Sequence, residues 1–279
     1  MTVLLEILRP LNVLITGISA AVAYSLASSL ESTAYNRFHL LLVILATSLT
    51  AGAGNLINDL YDIKIDRINK PERPLPQGRI SVSGAISYYL LLVAVAVLCG
   101  WFLSMHSFAA VIGVNILLYT YASYWKKSLL AKNLLVATVS AYLFYFCSIT
   151  TGNALKILPL AAAAFLFHLI REIIKDMADL DGDRQEMAKT LIIRFGSRVT
   201  VRVVRILIIM LLGYLTVAAL IFDYKIYFHL LIILTILPVL LYVFVKIRSA
   251  GNSGDYEKLS RIMKYDMLCG LLAFYVGIV

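Results

Sequence analysis

Carboxylate and amide side chains recur one helical turn apart in a short segment near residue 60. The members of this first acidic segment are Asn55, Asn58, Asp59, Asp62 and Asp66. Spacings of three and four residues place side chains on one face of a helix, so these oxygens form a stripe. Carboxylates one turn apart repel unless cations neutralise them, and hard oxygen ligands suit magnesium bound to a phosphate. The stripe therefore predicts a site for magnesium and a diphosphate.

A second acidic segment repeats this arrangement around Asp179, 117 residues after Asp62. Asp179 and Asp183 are again four residues apart, and Asp176 precedes them by one turn. A polar stripe leads from this segment into an apolar run, where ionisable groups are costly and usually functional. The stripe comprises His168, Arg171 or Glu172, Lys175 and Asp179. Hydrophilic loops would explain one such cluster, but two alike favour opposed ridges that hold magnesium diphosphate.

Basic residues lie close to the first segment. Residues 70–79 include three prolines and cannot form a regular helix. The arginines of this loop could close over an anionic group, although a purely topological role explains them as well. Lys126 and Lys127 pose the same choice between diphosphate ligand and membrane anchor. They follow the aromatic residues Tyr119, Tyr121, Tyr124 and Trp125.

The surrounding sequence predicts membrane-spanning helices to position these segments. The 279 residues are 61% apolar and only 15% charged, which leaves little material for a separate water-soluble domain. Nine apolar runs have about the length that crosses a bilayer. They cover approximately 11–30, 39–60, 84–104, 107–124, 133–151, 155–174, 203–222, 226–245 and 261–279. We therefore expect an all-α, polytopic bundle that forms a single domain over residues 1–279.

The distribution of lysine and arginine supports this topology. If the N-terminus lies inside, 22 of the 25 basic residues fall on the cytoplasmic side of a nine-span chain. The exceptions are Arg37, Lys156 and Lys225. The net charge of +9 is thus explained by membrane topology, without nucleic acid as a partner. Both acidic segments fall on the cytoplasmic side, which predicts a cytoplasmic active site in a multi-pass cell-membrane protein.

Three stretches resemble the signatures of the UbiA superfamily of intramembrane prenyltransferases. Residues 58–66 match the NDxxDxxxD signature and residues 179–183 match DxxxD, while residues 73–78 resemble the RPLPxG loop. The nine-helix count also agrees, so the resemblance covers the whole chain. One departure is Lys132, which stands where the KKxxxxGN stretch of the family has glycine.

Within the superfamily, the sequence is most similar to archaeal-type ether-lipid prenyltransferases. This resemblance implies magnesium-dependent transfer of a geranylgeranyl group from geranylgeranyl diphosphate to the sn-2 hydroxyl of geranylgeranylglyceryl phosphate. The implied metal ligands are Asn58, Asp62, Asp66, Asp176, Asp179 and Asp183, of which Asp62, Asp66, Asp179 and Asp183 are the catalytic carboxylates. Lys126, Arg67 and Arg73 would neutralise the diphosphate. Asn58 would also contribute to diphosphate binding, as a ligand of the metal that binds it. Arg171 or Lys175 would hold the acceptor phosphate.

Two other functions are compatible with acidic helix ends. One is prenylation of an aromatic acceptor in quinone or chlorophyll synthesis. The other is membrane transport, although a transporter would bury its carboxylates nearer the bilayer midplane. A CDP-alcohol phosphotransferase would require a DGxxAR signature, which the sequence lacks. The expected partners are the prenyl diphosphate, the lipid acceptor and the membrane, with no obligatory protein partner.

Overall fold

The described part of the chain is helical throughout. A computed structural model describes residues 3–31, 36–125, 130–151, 157–185 and 189–279, and these ranges contain no strand. Helices α1 to α6 are Val3–Ile7, Pro10–Glu31, Arg37–Tyr61, Ile63–Asn69, Val82–Leu103 and Met105–Thr120. Helices α7 to α13 are Ala131–Ile149, Leu158–Ala178, Leu180–Gln185, Leu191–Ile221, Ile226–Leu231, Leu237–Lys246 and Ser253–Ile278. The predicted all-α class is confirmed.

Seven helical stretches of the described chain are long and apolar enough to cross a membrane. They are Pro10–Leu30, Arg37–Tyr61, Val82–Leu103, Met105–Tyr124, Ala131–Ile149, Leu191–Ile221 and Ile226–Lys246. The other two predicted spans correspond to α8 and α13, which are 21 and 26 residues long. Both helices carry several charged residues within their apolar stretch, so nine is an approximate count. The multi-pass architecture itself is confirmed.

Three spans differ locally from the sequence-based expectation. Helix α10 begins at Leu191, well before the predicted residue 203, because its arginine-rich first turns are helical as well. Gly196 interrupts this helix with φ 77° and ψ 170°, a backbone conformation that glycine adopts without steric cost. A π-helical turn at Ile232–Ile236 joins α11 to α12, and another at Tyr121–Trp125 extends α6.

The chain divides into two compact units. Residues 1–126 and 146–154 form the first unit, in which α3 packs against α2, α5 and α6. The loop residue Leu75 is buried in a core with Ile7, Leu56 and Leu92, which ties the proline-rich loop to the side of α3. The single domain over residues 1–279 stays a prediction.

The second unit contains residues 127–145 and 155–279. Its α8 packs against both α10 and α13 and buries one apolar face through Ile170, Ile173, Ile174 and Met177. Glu172 and Asp176, which lie on the same helix, are consequently withdrawn from solvent to 3% exposure each. Buried carboxylates need charged or hydrogen-bonding partners, which the residues around them in this unit must supply.

Candidate active-site residues

The first acidic segment lies at a helix junction. Helix α3 ends at Tyr61, α4 begins at Ile63, and Asp62 between them has φ −100° and ψ 7°. The Asp62 N–H donates to the Asn58 carbonyl at 3.0 Å, and the Asp66 N–H donates to the Asp62 carbonyl at 2.8 Å. The helical hydrogen-bond pattern thus continues through the junction. It keeps Asn58, Asp62 and Asp66 at the spacing that the sequence predicts.

Two arginines neutralise the buried carboxylates of this segment. Asp59 and Asp66 are only 2% and 4% exposed. Arg73 Nη1 lies 3.1 Å from Asp59 Oδ1 and 2.6 Å from Asp66 Oδ2, and Arg9 forms a second ion pair with Asp59. Burial raises the pKa of Asp66 to about 6 although Arg73 opposes the shift, and the charges of Asp59 and Asp62 add to it. The site therefore contains protein cations as well as acids.

The side-chain oxygen of Asn58 is the strongest structural indication of a metal site. This oxygen, Oδ1, is buried and accepts no hydrogen bond from the residues that the structure describes. Asn55, one turn earlier, instead donates its side-chain amide to the Leu8 carbonyl at 2.9 Å. A buried carbonyl oxygen without a partner is costly and is readily satisfied by a cation. Together with Asp62 and Asp66, Asn58 supplies the hard oxygen donors that fit magnesium.

Magnesium would need ligands beyond these side chains. Within the described ranges, no three His, Cys, Asp or Glu side chains converge as a ready-made metal site. Magnesium commonly binds one or two protein carboxylates and completes its octahedron with substrate phosphates and water. The arrangement is therefore suited to a metal that arrives with a phosphate.

The loop between α4 and α5 holds Arg73 in place. Residues 70–81 form turns without helix, as the proline content predicts. Arg79 donates two hydrogen bonds to the Glu6 carboxylate at 2.6 and 2.7 Å, which ties the loop to α1. The Arg79 hydrogen bond lowers the pKa of Glu6. Leu75 of the same loop is buried at 5% exposure, so the loop is anchored at two points, Leu75 and Arg79.

The remaining predicted residues of the first unit lie in different settings. Arg67 is exposed at the end of α4, whereas Lys126 lies outside the described residues. In the aromatic cluster, Tyr121 is 2% exposed and Tyr124 is 78% exposed, so Tyr124 suits a membrane anchor and Tyr121 does not. Tyr119 instead meets the ring of Tyr61 edge-on, with centroids 6.3 Å apart and hydroxyl oxygens 3.5 Å apart. This tyrosine pair lies at the end of α3, next to Asp62 in sequence.

The second acidic segment has the same backbone construction as the first. Asp179 lies at the junction of α8 and α9, with φ −91° and ψ 13°. Its N–H donates to the Lys175 carbonyl at 3.0 Å, and the Asp183 N–H donates to the Asp179 carbonyl at 3.1 Å. Asp183 is 7% exposed, whereas Asp181 is solvent-exposed. The predicted pair Asp179 and Asp183 is thus held in helical register.

Glu172 stands between the two bases that were predicted to hold the acceptor phosphate. Arg171 Nη1 lies 3.2 Å from Glu172 Oε1, and Lys175 Nζ lies 3.2 Å from Glu172 Oε2. Arg171 Nε also donates to the Ser260 carbonyl of α13 at 3.3 Å. Both bases therefore already have a carboxylate partner on their own helix.

Asp176 is bonded to two residues of α7. Asn133 Nδ2 donates to Asp176 Oδ2 at 2.8 Å, and Lys132 forms an ion pair with Oδ1. Both carboxylate oxygens of this predicted metal ligand are therefore engaged within the protein. Lys132 is the residue that replaces the glycine of the family pattern, so the departure places a cation beside the second segment.

Sequence reasoning included Asp59 in the first acidic stripe but not among the ligands, and it assigned no role to Arg9 or Lys132. Asp59 is part of the NDxxDxxxD signature and follows Asn58 directly, which was a signal for it. Arg9 has φ 57°, an uncommon backbone conformation for a residue other than glycine, and no periodicity in the sequence reveals it. For Lys132, the departure from the family pattern was visible, but its partner Asp176 lies 44 residues away.

The helical membrane architecture and these carboxylate-bearing helix ends agree with the intramembrane prenyltransferase that the sequence signatures predict. The model of the UbiA prenyltransferase family matches residues 13–265, and the chain belongs to this family. The predicted resemblance is therefore confirmed, and the protein is a multi-pass membrane enzyme of the prenyltransferase class.

Individual relatives are similar over nearly their whole length. The chain is 33% identical over 275 residues to the digeranylgeranylglyceryl phosphate synthase of Methanosphaera stadtmanae, with 98% of each chain covered. A solved structure of digeranylgeranylglyceryl phosphate synthase matches with a TM-score of 0.77 at 26% identity, covering 99% of this chain and 97% of that one. A UbiA homolog from Archaeoglobus fulgidus, solved with GPP and Mg2+, has a TM-score of 0.70 at 19% identity over 98% and 99% of the chains, which shows the same fold.

Proposed function

We propose that this protein transfers the geranylgeranyl group of geranylgeranyl diphosphate to geranylgeranylglyceryl phosphate, with magnesium, in ether-lipid synthesis. The observation that carries the metal-dependent chemistry is the buried Asn58 Oδ1 without a hydrogen-bond donor among the described residues. The acceptor is supported by the digeranylgeranylglyceryl phosphate synthases that are similar to this chain over almost its full length.

Each acidic segment supplies oxygen ligands in this proposal. Asn58, Asp62 and Asp66 of the first segment and Asp179 and Asp183 of the second bind magnesium. When bound, magnesium withdraws charge from the diphosphate and makes it a better leaving group. Asp176 acts as a positioning residue, because Lys132 and Asn133 already engage its two oxygens.

Basic and aromatic side chains act on the two substrates. Arg67, Arg73 and Lys126 neutralise the remaining diphosphate charge, and Arg171 or Lys175 binds the acceptor phosphate. The bond between C1 of the prenyl chain and the diphosphate oxygen breaks, with its electron pair leaving on diphosphate. The rings of Tyr61 and Tyr119 stabilise the resulting allylic cation through their π faces.

The acceptor hydroxyl completes the reaction. Its oxygen forms the new ether bond to C1 and releases its proton, so the products are the ether lipid, diphosphate and one proton. We place the reaction on the cytoplasmic side because the basic residues are concentrated at that end of the predicted spans. Residues 1–279 act as one catalytic domain in this proposal.

The test is an assay of the purified protein with magnesium, radiolabelled geranylgeranyl diphosphate and two classes of acceptor. Label should move to geranylgeranylglyceryl phosphate, and Asp62→Ala or Asp179→Ala should each lower kcat/KM by at least about 100-fold, a loss typical of removed transition-state charge stabilisation. Asp181→Asn is the matched control, because Asp181 belongs to the second segment but is solvent-exposed.

Two outcomes would contradict different parts of the proposal. Full activity in Asp62→Ala or Asp179→Ala would remove the metal assignment. Transfer to a hydroxybenzoate or naphthoate, with none to geranylgeranylglyceryl phosphate, would replace the lipid acceptor by an aromatic one.

A further inference from the structure

Three arginines after the kink of α10 form a basic stripe that the proposed reaction does not use. Arg198, Arg202 and Arg205 are four and three residues apart, so they share one face of the helix. Arg198 and Arg202 are exposed, and Arg205 is half-buried. None of the three forms an ion pair with a carboxylate in the ranges that the structure describes.

Arg205 has an unusual environment for a cation within a membrane-spanning helix. Its guanidinium lies over the ring of Phe244 on α12, 3.9 Å from the ring centroid. Its Nε is buried and finds no acceptor among the described residues. The ring provides cation–π attraction, but the N–H group still lacks an oxygen. Ionisable groups at the end of a membrane span are costly without a counter-charge, so the Arg205 guanidinium is a candidate to attract an anionic group.

The same helix face indicates what kind of molecule carries that anionic group. Directly after the arginines, Ile206, Ile209 and Met210 continue the stripe and are 56%, 58% and 53% exposed. The stripe thus passes from guanidinium groups to an apolar surface along a membrane span. A molecule that fits both parts has an anionic head and hydrocarbon chains. A free phosphate ion would use only the first part.

The length of the stripe also suits a lipid headgroup. Arg198 and Arg205 are separated by seven residues, or about 10 Å along the helix axis. That distance covers the boundary between the headgroup layer and the hydrocarbon. Lys246 and Arg248, at the end of α12, are exposed as well and add positive charge to the helix that carries Phe244. Each basic residue near an anionic membrane surface contributes about 1 kcal/mol of attraction.

We propose that Arg198, Arg202 and Arg205 bind the phosphate of an anionic phospholipid headgroup, with its chains along Ile206, Ile209 and Met210. Planar guanidinium groups donate paired hydrogen bonds to phosphate oxygens, and the exposed Arg198 and Arg202 are accessible to a headgroup, while Arg205 adds its charge one turn further along. Phe244 holds the Arg205 guanidinium in position. This lipid is a structural ligand, distinct from the substrates of the proposed reaction.

The test measures lipid retention without substrates, so its result is independent of the proposed function. The 279-residue chain in mixed micelles is titrated with phosphatidylglycerol or phosphatidylcholine, and bound lipid is counted by native mass spectrometry. The wild type should retain more phosphatidylglycerol than phosphatidylcholine. Arg202→Gln and Arg205→Gln should each weaken its binding by about 5-fold, since 1.4 kcal/mol corresponds to tenfold and each arginine supplies about 1 kcal/mol.

A matched control and a competition experiment complete the test. Arg261→Gln removes the same charge from an exposed arginine that pairs with Glu257 at 3.1 Å, and it should change binding by less than about 2-fold. Arg205→Lys keeps the charge but loses the planar donors, and its binding should fall between wild type and Arg205→Gln. The proposal fails if Arg261→Gln weakens binding as much as Arg205→Gln, if phosphatidylglycerol is not preferred, or if inorganic phosphate displaces it.

Discussion

The two acidic segments share one backbone construction but receive their counter-charges from different places. In each segment an aspartate, Asp62 or Asp179, lies at the junction of a long helix and a short one. The buried acids of the first segment pair with arginines from outside α3, namely Arg9 and Arg73. In the second segment, Glu172 pairs with two bases of its own helix, whereas Asp176 has a cation from another helix, Lys132 of α7.

This difference separates a cation positioned by a loop from cations positioned by the helix that carries their partner. Arg73 belongs to a loop whose position depends on the burial of Leu75 and on the pair between Arg79 and Glu6. Arg171 and Lys175 are one turn apart on α8, and the helix itself sets their distance from Glu172. We therefore expect the contacts of Arg73 to depend on the loop, whereas the helix itself holds the bases of the Glu172 network in position for the acceptor phosphate.

The largest effect should come from breaking the Glu172 network. Glu172 is 3% exposed, and Glu172→Gln leaves Arg171 and Lys175 without their carboxylate partner. Removal of one partner from a buried ion pair typically costs about 3 kcal/mol. We expect a loss of that size in the free energy of unfolding, measured by denaturant titration in mixed micelles.

The control for this variant is an exposed ion pair of the same unit. Glu257→Gln removes the carboxylate that pairs with Arg261 one turn away on α13. Such surface pairs contribute about 0.5 kcal/mol or less. Equal losses for Glu172→Gln and Glu257→Gln would show that the buried network does not stabilise the fold.

A smaller effect is expected from the loop-borne cation. Arg73→Gln removes the one nitrogen that contacts both Asp59 and Asp66, although Arg9 still pairs with Asp59. Hydrogen bonds to charged groups contribute about 2 kcal/mol, so we expect a loss of that order in the same unfolding experiment. Arg73→Lys, which keeps one charged nitrogen, should recover part of the loss.

Arg67→Gln is the control for the stability loss of Arg73→Gln, because Arg67 follows Asp66 on α4 but is exposed. It should leave the free energy of unfolding nearly unchanged. A loss equal to that of Arg73→Gln would indicate a general effect of charge rather than the specific contacts of Arg73.

Helical spacing made the acidic stripes and the membrane spans predictable from the sequence. Asn58, Asp62 and Asp66 follow a period that any helix imposes, and the apolar runs have the length that a bilayer requires. The partners of these residues were not predictable in the same way. Arg9 meets Asp59 across 50 residues of sequence and Lys132 meets Asp176 across 44, and no local pattern encodes such contacts.

The periodicity of the sequence did not predict the helix irregularities either. Gly196 breaks α10 at a positive φ, and the turn at Ile232–Ile236 is π-helical inside an uninterrupted apolar run. Hydropathy reports whether a segment can lie in a membrane, but it does not report its backbone hydrogen bonding. The arginine-rich start of α10 was accordingly expected to be a loop, because charge was the dominant signal there.

The smallest effect should come from the exposed pair that ties the loop of Arg73 to α1. The Glu6 and Arg79 side chains are 31% and 36% exposed, and water and salt therefore screen their attraction. Glu6→Gln should destabilise the protein less than Arg73→Gln, and the difference from wild type should vanish near 1 M NaCl, where the Debye length is about 3 Å. The buried Leu75 keeps the loop in place without this pair. A salt-independent loss as large as that of Arg73→Gln would mean that Glu6 positions Arg73, and the loop would then be as tightly fixed as the network on α8.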